Sequence, residues 1–522
     1  MDPRFPVVSA LAIKDGAIVA IGDREDIRDH CDAATVRVGE GTFVVPGLID
    51  AHHHPVWSTK FALGVDASAV HSAAELRGLL EPERIRLGSE AVLRAWGLDH
   101  EVFGECGFTG AALERIAAGP ALISTMDCHT YLATADVLRR AGIDGAIDFE
   151  DGASIVVDAD GRPTGELHEF SAFDLVAAAL PQLSPTEVRA RLRETLETLA
   201  SLGLTTVHAM DGAPSTYELL EELETEGELP VRLVVPLWIK PTMEDDLLEL
   251  LARLIDVRGR RWRGGAAKFF LDGVVEAGTA WLEEPDSEGE STGPVWPSAE
   301  RFAEVVARFS AAGFGCATHA VGDRAIRETL DAYRDAPQVP GVRHRIEHLE
   351  VLADPELPRL AAEGVIASVQ PLHMQWRLPD GSDVWSRRLG PERAGRVARV
   401  RDMLAAGVTL ALGSDWPVAG RDPRLGMAWA RLRRPLGERD APVFEPDQAL
   451  SAREALGGYT VGAAAAVGEE NLAGRLAPGL RADLTAFAAD PLQTTGDELV
   501  ELPVAMTAVA GEITYRAPGA PL

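Results

Sequence analysis

Short apolar runs dominate the middle of the chain. Eight such runs occur, at 43–54 (FVVPGLIDAHHH), 204–210, 231–238, 266–273, 313–320, 342–348, 365–371 and 408–415. Continuous rather than alternating hydrophobicity marks strands buried on both faces, as in parallel sheets. Apolar residues recur at helical spacing over 185–202, 243–256, 298–312, 322–335, 354–363 and 451–466. Eight strands alternating with helices predict an α/β fold, specifically a (β/α)8 TIM barrel.

The chain ends read differently. SALAIKDGAIVAIGD alternates around Asp15-Gly16, a hairpin signature. LAPGLRADLTAFAAD and VAMTAVAGEITYR carry a similar pattern near the other end, with a turn at Gly511. Chain ends often lie close together. Residues 1–46 plus 470–522 are therefore expected to form a small composite β-sandwich, and 47–469 the barrel. About 150 residues separate His54 from Leu204, far more than one helical crossover needs. An inserted subdomain is expected there, at about 62–180. Its strands are read at 91–96 and 120–126, its helices near 73–80, 109–118 and 133–141.

Composition narrows the partners. The 522 residues carry 50 Lys and Arg against 81 Asp and Glu, a net charge of −31. That balance argues against nucleic acid or an anionic membrane as partner. No stretch approaches the ~18 apolar residues of a membrane span. Met1-Asp2-Pro3-Arg4 lacks a basic stretch followed by an apolar run, so a secretory signal is not expected. Cys31, Cys106, Cys128 and Cys316 are widely spaced with no CxxC pair, as in a reducing cytoplasmic setting. A small-molecule substrate is expected, and a homodimer is the commonest assembly.

The chemistry lies at the ends of the apolar runs. In PGLIDAHHHP, His52 and His54 are two apart and face one side of a strand, while His53 faces the other. His319 (ATHAVGD), His348 (RIEHLE) and Asp415 (LALGSDWP) each close a later run. Barrel strand ends converge on one cup, so these groups can meet despite their separation in sequence. Four imidazoles and a carboxylate suit Zn²⁺, with Mn²⁺ or Fe²⁺ as alternatives. Lys268 sits inside an apolar run (GGAAKFFLDG), where a charged amine is costly. A neutral amine can take up carbon dioxide as a carbamate, and Asp272 and Glu276 are nearby alternatives as partners.

The stretches VVPGLIDAHHHP, AAKFFLDGVVEAGTAWL, THAVGDRAI, RHRIEHLE, ASVQPLHM, LGSDWPV, REALGGYTVGAAAAVG and LAPGLRADLTAF together resemble the amidohydrolase superfamily, in its family 3 branch. The resemblance covers essentially the whole chain. It implies a metal-dependent hydrolase with His52, His54 and Asp415 on one metal, His319 and His348 on a second, and carbamylated Lys268 between them. Asp415 is then general base and acid for a metal-activated water. Two departures stand out. Relatives usually carry a further strand before the present start, and the more usual first motif is His-apolar-His. His53 is read as non-ligating.

His208, His129, Gln370 and His373 are weaker candidates for substrate contact. Asp323 and Glu347 are candidates for orienting imidazoles, with helix capping the other reading of Asp323. The expected activity is hydrolysis of a non-peptide C–N bond in a small amide such as an N-substituted formamide. A deaminase of an aminated heterocycle or amidine is the alternative on the same barrel. A non-catalytic binding protein would be expected to have lost these ligands.

Overall fold

The computed structural model describes residues 7–32, 35–126, 128–149, 153–227 and 229–519. Met1–Arg4, read above for a signal, lie outside them. Strand β1 (Ala10–Lys14) and strand β2 (Ala17–Gly22) form an antiparallel hairpin. Its turn residues Asp15 and Gly16 have φ of 51° and 78°, the left-handed pair that Asp-Gly supplies in a type I′ turn. Strand β3 (Phe43–Pro46) leads into the parallel frame.

Each of the eight apolar runs contains a strand. β4 (Leu48–His53), β5 (Leu204–Ala209) and β6 (Arg232–Val234) form a parallel sheet with Trp262–Arg263 at its edge. A second parallel sheet runs from Leu237–Trp238 through β7 (Ala266–Phe270), β8 (Gly315–Ala320), β9 (Arg345–His348), β10 (Ile366–Val369) and β11 (Leu410–Leu412). The run 231–238 splits into two short strands at Val235-Pro236, where proline offers no N–H to a ladder. Backbone bonds join the two sheets in two places. On one side Trp238 N–H donates to Gly212 C=O (2.8 Å), and on the other Asp415 N–H donates to His52 C=O (2.7 Å).

The chain ends share a sheet. β3 pairs antiparallel with β12 (Leu484–Phe487), which continues to β13 (Val504–Val509) and β14 (Glu512–Arg516). The chain divides into two compact units. One comprises Met1–Pro55, Arg193–Asp415 and Gly420–Leu522; the other is Val56–Leu192 with Trp416–Ala419. The second unit is wider at both ends than residues 62–180. Its six-stranded sheet contains the expected strands as Leu93–Leu98 and Ala121–Thr125, and four more that the sequence did not single out. Helices at Pro214–Glu226, Val384–Ala394 and Pro423–Leu432 were likewise not foreseen.

The predicted helix 451–466 is interrupted. It runs as Ala452–Gly457, a π turn at Gly458–Gly462, and Ala463–Ala465. Both bounding glycines face β11. A Cβ on Gly462 would lie 1.8 Å from Leu410 O, and one on Gly458 2.5 Å from Leu412 Cγ. Helix and strand touch at backbone distance, which only glycine permits. Gly462→Ala is therefore expected to destabilise the fold by at least ~1–3 kcal/mol. Urea unfolding should show a lower midpoint at an unchanged slope.

No helix among the described residues is long and apolar enough to cross a membrane.

Candidate metal centre

Strand parity places most of the site. Parallel register aligns Lys268 with Ala317 and Arg345, and Phe270 with His319 and Glu347. Residues two apart share a face, so Lys268, Phe270, His319, Arg345 and Glu347 lie on one face of the second sheet. His348 has the wrong parity for that face. It joins the group because its backbone turns into the left-handed region (φ 75°), followed by Leu349 at 53°. Asp415 does the same at the other edge, with φ 59°. Non-glycine residues held in this region are strained and cluster at functional sites.

The imidazoles gather on Asp415. Its Oδ1 lies 3.4 Å from His52 Nε2 and 3.2 Å from His54 Nε2. Its Oδ2 lies 3.5 Å from His373 Nε2 and 3.8 Å from His348 Nδ1. His52, His348 and Asp415 each present one donor atom, all within 4.8 Å of one another, and all three residues are buried. His348, Glu350 and His373 form a second such group beside it. Burial, reinforced by neighbouring cationic groups, holds the pKa of His52 and of His348 well below the usual histidine value. Both rings are neutral, the form that ligates a metal.

Carboxylates fix how these rings are presented. His52 Nδ1 donates to Glu347 Oε2 at 2.7 Å, which leaves Nε2 as the ligand atom. Glu347 thus orients His52, across the sheet from its own strand. Asp50, two residues before His52, accepts from the backbone N–H groups of His52 and Ser414 (both 3.0 Å) and from Ser414 Oγ (2.6 Å). It ties β4 to the segment carrying Asp415, and burial pushes its carboxyl up to about 7.

His319 stacks on Phe270 and stands edge-on to His348, with ring centroids 4.8 and 4.4 Å apart. Its Nε2 donates to Gly273 C=O (2.9 Å), which makes Nδ1 the unprotonated nitrogen of a neutral ring. Lys268 is fully buried, and its Nζ makes no hydrogen bond among the described residues. The amine sits 4.5 Å over the Phe270 ring, and burial lowers its pKa to about 8. The carboxylates acting on it are Glu347 and Asp415. Asp272, expected as a partner, instead accepts from the N–H groups of Trp281 (2.9 Å), Val321 (3.0 Å) and Gly322 (2.8 Å). An orphaned buried amine facing carboxylates and neutral imidazoles fits a site completed by a divalent cation.

The weaker candidates divide. His373 is at the site, its Nδ1 3.3 Å from Glu350 Oε1, and Glu350 Oε2 accepts from Trp385 Nε1 (3.2 Å). Gln370 follows β10, buried, with Oε1 lacking a partner among the described residues. His208 accepts from Arg345 at Nδ1 (2.9 Å) in the interior. His129 belongs to the second unit, where its Nδ1 donates to Glu169 Oε2 (2.8 Å) and its ring packs on Phe170. Asp323 begins the helix Asp323–Asp335 inside Gly322, which is the N-cap. Its carboxylate accepts from Glu283 N–H (2.8 Å), so it anchors a loop rather than capping the helix. His53 is fully buried, with neither ring nitrogen bonded among the described residues. Asp50, Arg345 and Glu350 were not singled out from the sequence. The first two were findable, since each lies two residues before a candidate on the same strand.

Known proteins share this frame. The amidohydrolase family model matches residues 40–515. A putative amidohydrolase, YtcJ, of Bacillus subtilis (strain 168) is 27% identical over 517 residues, 97% of this chain and 96% of that protein. The N-substituted formamide deformylase of Arthrobacter pascens is 27% identical over 535 residues, covering 99% and 97%. The crystal structure of an uncharacterized metal-dependent hydrolase from Pyrococcus horikoshii OT3 superposes with a TM-score of 0.72 at 25% identity, over 94% of this chain and 95% of that one.

Proposed function

The chain belongs to the amidohydrolase family and is a hydrolase, and on that premise we propose that it cleaves a non-peptide C–N bond of a small amide, of the N-substituted formamide class, with divalent metal at the His52–Asp415 cluster. The convergence of His52, His54, His348 and His373 on the two oxygens of Asp415 carries this reading. The two parallel sheets are taken as one closed (β/α)8 barrel, with the terminal strands as a composite sandwich and the second unit as an insertion after the first barrel strand. Structural likeness to a metal-dependent hydrolase supports that frame.

His52, His54 and Asp415 would hold one cation, His319 and His348 a second, with Zn²⁺ the leading candidate and Mn²⁺ or Fe²⁺ the alternatives. Bound there, the metal supplies an acidified water and polarises the substrate carbonyl. Lys268 contributes as a carbamate. Its neutral Nζ forms a bond to the carbon of carbon dioxide and releases one proton, giving an anion with two oxygens in place of an unpaired buried amine. Asp415 takes the proton of the attacking water on a carboxylate oxygen and returns it to the leaving nitrogen. Gln370 and His373 would be the groups that hold the substrate. Burial holds His52 and His348 well below the usual histidine value, so neither of these two rings is the group that cycles the proton.

The test is hydrolysis of a panel of formamides, N-acyl amines, cyclic amides and aminated heterocycles by one preparation. Release of formate or another carboxylate with an amine is expected. Ammonia from heterocycles alone would replace the amide reading with a deaminase.

A further inference from the structure

Arg345 is a buried cation of the interior to which the proposed reaction gives no role. It opens β9, two residues before Glu347 and on the same face. Only 2% of it is exposed. Its Nε lies 2.6 Å from Glu347 Oε1, and the other oxygen of that carboxylate accepts from His52. One terminal nitrogen donates to Ala51 C=O (2.9 Å), the peptide immediately before His52. The other donates to His208 Nδ1 (2.9 Å). One guanidinium therefore reaches His52 twice, through the ring's carboxylate partner and through the backbone that carries the ring.

We propose that Arg345 is a positioning residue that locks His52 in the Nδ1–H tautomer, with Nε2 presented as the ligand atom. The proposal rests on the metal-site reading above. A carboxylate bonded to His52 alone is free to rotate about its last torsion, and the imidazole can then flip or exchange its proton. An ion pair between the far oxygen and a fixed guanidinium restricts that freedom. Arginine suits the task because its planar fork serves Glu347, His208 and Ala51 at once, which a lysine ammonium on a flexible stem does not. A partner of this kind to a metal-ligating histidine typically tunes metal affinity by about 10–100-fold.

The surroundings also offer a route for testing it. A cavity of about 280 Å³ is lined by Arg345 together with Ala266 and Gly315. These three are the first residues of β9, β7 and β8, at the opposite strand ends from His319 and His348. A small cation admitted there can reach the space left by a shortened Arg345.

The experiment compares full-length wild type, Arg345→Ala and Arg345→Lys. Zn²⁺ affinity is read by competition with a chromogenic chelator, and the His52 ring tautomer by ¹⁵N NMR of metal-stripped protein. The alanine variant is expected to bind Zn²⁺ about 10–100-fold more weakly and to show a mixture of His52 tautomers. Millimolar guanidinium should restore both in part, with the lysine variant intermediate. Wild-type affinity and a single Nδ1–H tautomer in Arg345→Ala would overturn the proposal, as would a loss that guanidinium does not touch. Should the alanine variant not fold, Arg345→Met fills the volume and carries the affinity and tautomer arms with the same expected and opposing results. Wild-type protein that binds no Zn²⁺ would instead sink the metal reading, while the tautomer comparison still decides the role of Arg345.

Discussion

Asp415→Asn is expected to lower kcat by about 10²–10⁴-fold with little change in KM, the range for loss of a general base that acts in the transition state. The amide keeps the shape and one oxygen of the carboxylate but cannot take a proton from the attacking water. The left-handed backbone at this position (φ 59°) and its N–H bond to His52 C=O do not depend on the side-chain charge, so the local fold should persist. Metal content must be measured on the same sample, because Asp415 also faces the ligand atoms of His52 and His54. Wild-type turnover at full metal content would remove Asp415 from the proton-transfer role. Turnover lost together with the metal would assign it to ligation.

Lys268→Met is expected to separate activity from stability. A buried amine with no hydrogen bond gives the fold little, and an unbranched apolar chain of similar length removes its desolvation penalty. The variant should melt at the wild-type temperature or above when both proteins are metal-free. Its activity should fall by about 100-fold or more, because losing a metal-bridging carbamate forfeits several kcal/mol of transition-state stabilisation. Its metal content should drop from two per chain to one. Unchanged metal content and rate would make Lys268 a structural residue, held by the Phe270 ring and the nearby carboxylates.

Much of the frame is legible in the sequence because burial on both faces leaves a one-dimensional trace. All eight apolar runs contain a strand, and the Asp15-Gly16 turn adopts the conformation its residue types favour. His52 and His54 follow from strand periodicity alone. His348 and Asp415 do not follow from periodicity; they are legible as the polar residues that close their runs, while the positive φ by which each reaches the site is announced by no side-chain pattern. The run 231–238 reads as one strand because hydropathy carries no record of the N–H that Pro236 lacks. The second unit was under-read for a different reason. Strands such as Thr130–Ala133 and Pro163–His168 are short and pair antiparallel, so they leave no continuous apolar run.

The supporting groups show the same boundary. Glu347 was legible as a group that orients imidazoles, yet the ring it holds is His52, 295 residues away in sequence, rather than the adjacent His348. Asp272 and Asp323 carry charges that suggested partners for Lys268 and His319, but backbone N–H groups of neighbouring loops claim both carboxylates. Loop backbone is invisible to residue-type reasoning. It competes effectively for buried carboxylates because each such bond is charge-assisted.

The most direct test of a metal-dependent hydrolase here is elemental analysis of the purified chain, with amide hydrolysis followed on the same sample through chelation and reconstitution. About two divalent metals per chain are expected, with activity lost on their removal and recovered on addition of Zn²⁺. A metal-free chain that still hydrolyses amides at the full rate would contradict it.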